Sequence, residues 1–149
     1  MRIYIGADHQ GFGLKAELLE RLKSAGYSVE DDSGTGFNPD DDFPVFASRV
    51  VNKLLSSEDN DPRGILICGS GQGMAMTANR YKGIRAAVVW NKEEARLARN
   101  DDDSNVLALP ARLLKDDPKF TTEIVEVWLK TAFENLPRRV RRIKEMDNL

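Results

Sequence analysis

The chain has 149 residues, 41% hydrophobic and 31% charged, which is enough to bury one sizeable core, and its 22 Lys plus Arg against 24 Asp plus Glu leave a formal charge of -2. That balance supplies no overall field for nucleic acid, the longest apolar runs fall far short of the roughly 18 residues of a membrane span, and no signal-like segment opens the chain. One cysteine, Cys68, and one histidine, His9, exclude an intramolecular disulfide and a four-ligand zinc site of the usual kind, so one cytoplasmic domain over 1–149 is expected.

Short apolar runs alternate with helix-like stretches from end to end, the pattern of a parallel sheet covered by helices. The first run, Arg2 to Ala7, is a predicted strand. Phe12 to Ala25 follows as a helix with Leu14, Leu18, Leu19 and Leu22 at helical spacing and a stop at Gly26. A second strand is predicted over Ser28 to Asp31. Asp31 to Asp42, with Gly34, Gly36, Pro39 and five aspartates, reads as a polar loop before a helix over Phe43 to Leu55. Beyond a further loop, Ser56 to Pro62, come a strand over Gly64 to Cys68, a helix over Gly73 to Tyr81 and a strand over Arg85 to Val89. Lys92 to Arg99 is the next helix, Val106 to Leu109 the fifth strand, and Pro118 to Phe133 a helix with Phe120, Ile124, Val127, Trp128 and Thr131 on one stripe. Pro137 opens a last, arginine-rich helix to about residue 147.

In a doubly wound sheet ligands sit beyond the carboxyl ends of the strands, so the residues after each strand are where chemistry belongs. After the first strand comes Asp8-His9-Gln10-Gly11. After the third comes Cys68-Gly69-Ser70-Gly71-Gln72-Gly73-Met74, a glycine-rich turn into a helix whose free N–H groups can surround an anion. Thiols placed near such a turn can be drawn toward thiolate and act as nucleophile or base, whereas the plain alternative is a buried apolar cysteine. A cysteine-phosphatase loop would need an arginine where Met74 stands. A dinucleotide fingerprint would need a third glycine where Met74 or Met76 stands. Arg138 and Arg142 share one helical face, where two guanidinium forks can hold a phosphate; Arg112 can join them. The plain alternative there is a solvated basic tail or a weak nucleic-acid patch.

Taken together, Asp8-His9 with Gly11, Asp42-Phe43-Pro44, Gly64-Ile65-Leu66 through Cys68-Gly69-Ser70-Gly71, Ala78-Asn79, Gly83 to Ala87, Asn105-Val106-Leu107 and Arg112 resemble the ribose-5-phosphate isomerase B family, which includes galactose-6-phosphate isomerase subunits. The resemblance runs in order over nearly the whole chain. It implies a three-layer α/β/α Rossmann-like sandwich with a five-stranded parallel sheet, a homodimer or tetramer with active sites between subunits, and isomerisation of a sugar phosphate without metal or cofactor. It assigns Cys68 as the base moving a proton between C2 and C1 through an enediolate. Gly69, Ser70, Gly71, Gln72, Gly73 and Met74 are expected to hold the enediolate oxygens, Ser70 keeping a hydroxyl where many members have threonine. Asp8 and Asn100 are expected at the substrate, His9 and Arg112 at its phosphate, and Arg138 and Arg142 across the dimer interface. No membrane or nucleic acid is expected as a partner.

One departure stands out. Two positions after Arg99 the family commonly has a histidine assigned to opening the sugar ring, and this chain has Asp101; Arg139 likewise stands where some relatives have histidine. Three accounts follow. Asp101 opens the ring, since a carboxylate can act as acid or base. Alternatively the substrate needs no ring opening, as with a tetrose 4-phosphate, or the chain binds phosphosugars without turning them over.

Overall fold

A computed structural model describes residues 1–34 and 36–149; Thr35, inside the predicted polar loop, lies outside the described residues. The strands are β1 (Arg2–Ala7), β2 (Ser28–Asp31), β3 (Arg63–Cys68), β4 (Ala86–Val88) and β5 (Val106–Pro110). The helices are α1 (Phe12–Ser24), α2 (Phe43–Leu55), α3 (Gln72–Ala78), α4 (Lys92–Asn100), α5 (Ala111–Leu114), α6 (Pro118–Lys130) and α7 (Pro137–Asp147). All strand pairs are parallel, in the order β2-β1-β3-β5-β4. No described helix is long and apolar enough to cross a membrane.

The pleat divides each central strand between two cores. Ile3, Ile5, Ile65, Ile67, Leu107 and Leu109 meet Leu18 and Leu22 of α1 and Ile124 and Trp128 of α6 on one face. Tyr4, Leu66, Cys68 and Val106 meet Val50, Val51 and Leu54 of α2 and Met74 and Ala78 of α3 on the other. Each fully buried aliphatic side chain contributes about 1.5–3 kcal/mol, so the sheet with two helical layers is the arrangement that these alternating strands stabilise. The three-layer sandwich expected from the sequence is the observed fold.

Several boundaries differ from the expectation, for local reasons. α3 ends at Ala78 instead of Tyr81, because the Asn79 side chain turns to the Ala86 backbone, accepting from its N–H at 2.7 Å and donating to its carbonyl at 3.0 Å. α6 ends at Lys130 instead of Phe133, where Thr131 becomes extended. Its buried stripe includes Thr121 and Val125, with the Thr121 hydroxyl donating to the Leu114 and Asp117 carbonyls. α5 was not expected; four residues carry no readable helical period.

Candidate active site

Neighbouring strands β1 and β3 send their following helices to opposite faces, α1 to one core and α3 to the other. A crevice opens at the carboxyl edge of the sheet wherever that happens. The Asp8 N–H donates to the Ile67 carbonyl at 3.2 Å, and the Arg112 N–H donates to the Gly69 carbonyl at 3.1 Å. The segments following β1, β3 and β5 therefore meet at one place.

Cys68 closes β3 there, buried to 5% exposure, and its sulfur accepts from the Gly71 N–H at 3.2 Å. Gly71 sits at φ +75, the left-handed conformation that lets the chain double back from strand to helix, and α3 starts at the next residue. The Gln72 N–H is taken by the Ser70 hydroxyl at 3.3 Å. Those of Gly73 and Met74 belong to the first helical turn, whose donors have no partner within the helix. Ser70 and Gln72 are exposed, whereas the Met74 side chain is fully buried in the core; of that residue only the backbone can face a ligand.

Gly69 has no room for a side chain. A Cβ there would stand 2.2 Å from Gln10 Oε1 and 3.1 Å from Arg112 Nε, and those two atoms are themselves hydrogen-bonded at 3.1 Å. Gln10 thus holds the Arg112 guanidinium over the turn beside the thiol. On the α2 side the Phe43 ring lies against Gly73, where a Cβ would meet ring carbons at 2.7 Å.

Asp8 is 5% exposed, and one carboxylate oxygen accepts from the Gln10 and Gly11 N–H groups at 2.9 and 3.1 Å. It therefore holds the turn into α1 as well as standing at the crevice. Burial pushes its carboxyl above the usual range, against the opposing pull of those two N–H groups. His9 donates its backbone N–H to Asp41 Oδ1 at 3.0 Å, and its Nδ1 lies 2.7 Å from the same oxygen. That contact raises the imidazole pKa.

The remaining expected residues lie elsewhere in the chain. α4 runs back from the carboxyl end of β4 to the amino end of β5, so Asn100 and Asp101 stand at the opposite edge of the sheet. Val106 pairs with Gly64 and Pro110 with Cys68, which puts the two edges about 13 Å apart along β5. α7 starts at that far edge. Arg139 reaches Asp101 Oδ1 at 2.6 Å and the Asn100 carbonyl at 3.0 Å, and it also pairs with Glu134. The Asn100 amide donates to the same Asp101 oxygen at 2.7 Å. Arg138 and Arg142 are exposed and make no ion pair among the described residues. Near this edge lies a hollow of about 770 Å3, walled by Asn79 to Ala87 and Met146 to Leu149. It contains none of the groups gathered around Cys68.

Cys68, Ser70, Gly69, Gly71, Gln72, Gly73, Asp8, His9 and Arg112 are therefore brought together within one chain, and Asn100, Asp101, Arg138 and Arg142 are not. Two contributors were missed. Gln10 was read only as part of its motif, and Asp41 was hidden among the aspartates of the loop before α2. Among the described residues no group of three or more His, Cys, Asp or Glu could hold a metal ion.

Comparison with known proteins gives one answer. The ribose/galactose isomerase family model matches residues 3–146. A probable ribose-5-phosphate isomerase B from Mycoplasma genitalium is 41% identical over 97% of this chain and 92% of its own. The crystal structure of a ribose 5-phosphate isomerase from Thermotoga maritima superposes with a TM-score of 0.91 at 40% identity, covering 99% of this chain and 98% of that one. The Mycoplasma genitalium ribose-5-phosphate isomerase B with bound ribulose-5-phosphate gives 0.91 at 39% identity, over 99% and 94%. With its crevice between β1 and β3 and its cysteine at the mouth of a glycine turn, the chain belongs to the ribose/galactose isomerase family.

Proposed function

We propose that the protein is an aldose–ketose isomerase of sugar phosphates, interconverting a pair of the ribose 5-phosphate and ribulose 5-phosphate type, with Cys68 as the base. The carrying observation is the placement of the one thiol in the chain at the Gly69–Gly71 turn, bordered by Arg112, Gln10 and Asp8. The full-length similarity to enzymes named for this reaction, one of them with ribulose-5-phosphate bound, supports the choice of substrate.

In this reading the Cys68 thiolate removes the proton from C2 of the open-chain aldose, and the electron pair passes through the C1–C2 bond to the carbonyl oxygen on C1. The enediolate oxygens rest on N–H groups of the turn and of the first turn of α3, where charge develops only as the reaction proceeds. The thiol returns the proton to C1 while the hydroxyl proton on the C2 oxygen passes to the oxyanion on C1, leaving a carbonyl at C2 and a hydroxyl at C1, and a ketose results. His9 and Arg112 take the phosphate from one end. Arg138 and Arg142 complete the grip from a second copy of the chain, since in their own chain they stand at the far edge of the sheet. Phosphate binding at this distance from the reacting carbons orients them. No metal or cofactor has a part in these steps.

A second reading of the substrate is favoured by the Asp101–Arg139 pair. A carboxylate already committed to a guanidinium and an amide is poorly placed to shuttle a proton to a ring oxygen. A tetrose 4-phosphate cannot close a furanose through its phosphorylated oxygen and needs no such shuttle.

Proton NMR in D2O with ribose 5-phosphate and, in parallel, erythrose 4-phosphate tests both readings. Product and deuterium at C2 are expected with wild type and lost in Cys68→Ala. Undiminished exchange in that variant overturns the role of Cys68. Turnover of the tetrose alone selects the second substrate, and binding without turnover of either identifies a phosphosugar-binding protein instead.

A further inference from the structure

His9 is the single histidine of the chain, and among the described residues its ring is held by hydrogen bonding at one edge only. The backbone N–H and Nδ1 of His9 both meet Asp41 Oδ1, at 3.0 and 2.7 Å, so one carboxylate oxygen fixes where the residue starts and which way the ring turns. Asp41 is itself only 12% exposed. It is placed by a tight turn in which its N–H donates to the Asn38 carbonyl at 3.3 Å and the Asp40 N–H donates to Asn38 Oδ1 at 3.1 Å. The next residue, Asp42, stands at the N-cap position of α2, whose first residue, Phe43, packs against Gly73. The loop that carries Asp41 is thereby joined to the turn that carries Cys68.

We propose that Asp41 is a positioning residue for substrate phosphate. It fixes His9 with Nδ1–H donated to the carboxylate and leaves Nε2 as the ring nitrogen offered to the phosphate. The inference rests on the reading that His9 takes the phosphate end of a sugar phosphate. A neutral imidazole pinned in this way would present a lone pair at Nε2 and repel a phosphate oxygen; the imidazolium presents a donor. Every acidic group facing His9 favours the imidazolium: Asp8 from the end of β1, and Asp40 and Asp41 from the loop before α2. The hydrogen bond to Asp41 is the foremost of these influences. Asp41 thus supplies both an orientation and a charge state, and a charge-assisted bond to phosphate needs both.

With one histidine, NMR of the imidazole ring reads the pair directly and without turnover. In the wild type the ring titrates above the ordinary value near 6.5. In Asp41→Asn, which keeps an acceptor of the same size, the titration falls toward that value. Saturating ribose 5-phosphate moves the titration upward in the wild type and by less in Asp41→Asn. In steady state Asp41→Asn raises KM about five- to tenfold with kcat changed less than twofold, and kcat/KM begins to fall at lower pH as His9 loses its proton. Asp41→Glu restores part of the affinity. An unchanged His9 titration in Asp41→Asn, or a KM that matches wild type across the pH range, overturns the proposal. Because the ring titration is read on unliganded and liganded protein without catalysis, its outcome is independent of whether Cys68→Ala loses exchange at C2.

Discussion

Asp101 and Arg139, the two positions at which the sequence resemblance led to a comparison with histidine, stand 2.6 Å apart and are bonded to each other. The pair is anchored further by the Asn100 amide and by Glu134. It ties the end of α4 to the first turn of α7.

Asp101→His tests what the pair does to substrate choice. If it stands in place of a ring-opening group, the variant gains turnover on ribose 5-phosphate relative to erythrose 4-phosphate by about tenfold or more, since a positioned acid–base group contributes at least that much. The measurement is kcat/KM on both sugars; an unchanged ratio removes position 101 from the question of ring opening. Because the pair is partly exposed, Asp101→Asn is expected to cost no more than about 1 kcal/mol in urea denaturation.

Gly69→Ala forces a Cβ into the space that Gln10 Oε1 and Arg112 Nε share. Both obstacles are ends of flexible side chains, so the fold survives, but the guanidinium is displaced from the turn. The expected result is a rise in KM of about tenfold with an unchanged urea midpoint. Gly11→Ala is the contrast. There the Cβ would meet the Ile67 carbonyl oxygen at 2.5 Å, and a loss of about 1–3 kcal/mol in stability is expected.

Trp128 is fully buried, and its ring N–H donates to the Ser104 hydroxyl at 2.8 Å. Trp128→Phe removes a buried donor and part of the ring on which the Arg63 guanidinium sits at 5.8 Å. A loss of about 1–3 kcal/mol is expected by urea denaturation. Fluorescence gives a second check, because the emission left in the variant comes from the exposed Trp90 and shifts to the red.

Stability should depend on pH through His9. Its ordinary pKa is near 6.5 and the fold raises it, so the folded chain holds the proton more tightly than the unfolded one. The stabilisation is complete below about pH 6.5 and is lost as the pH rises through the raised value. Thermal melts across that window should show the slope in wild type and a flatter curve in Asp41→Asn. Asp8 acts in a more acidic window with the same sign: burial makes its carboxyl hold the proton more tightly in the folded chain, so its contribution likewise falls as the pH rises and the group ionises.

The strands β1, β3 and β5 were legible because runs buried on both faces, such as Gly64 to Cys68, leave an almost unbroken apolar signature. The Cys68 turn was legible because glycines at such close spacing have few other uses. α5 was not, since four residues show no period. The stop of α3 at Ala78 depends on a side-chain bond between Asn79 and a residue seven positions on. Asp41 was hidden for a related reason: five aspartates in one loop look alike until the loop's path brings one of them onto His9. Arg138 and Arg142 were readable as a pair, but their distance from Cys68 is set by the strand order, which no local pattern encodes.

The separation of Cys68 and the arginine pair to opposite edges of the sheet has a genetic consequence. If two copies build each site between them, a chain carrying Cys68→Ala and a chain carrying Arg142→Ala are each inactive alone, yet each holds what the other lacks. Unfolding and refolding them together should return about a quarter of the wild-type activity, because half of the dimers formed are mixed and each mixed dimer has one intact site. In a cell the same arrangement would let two defective alleles complement one another.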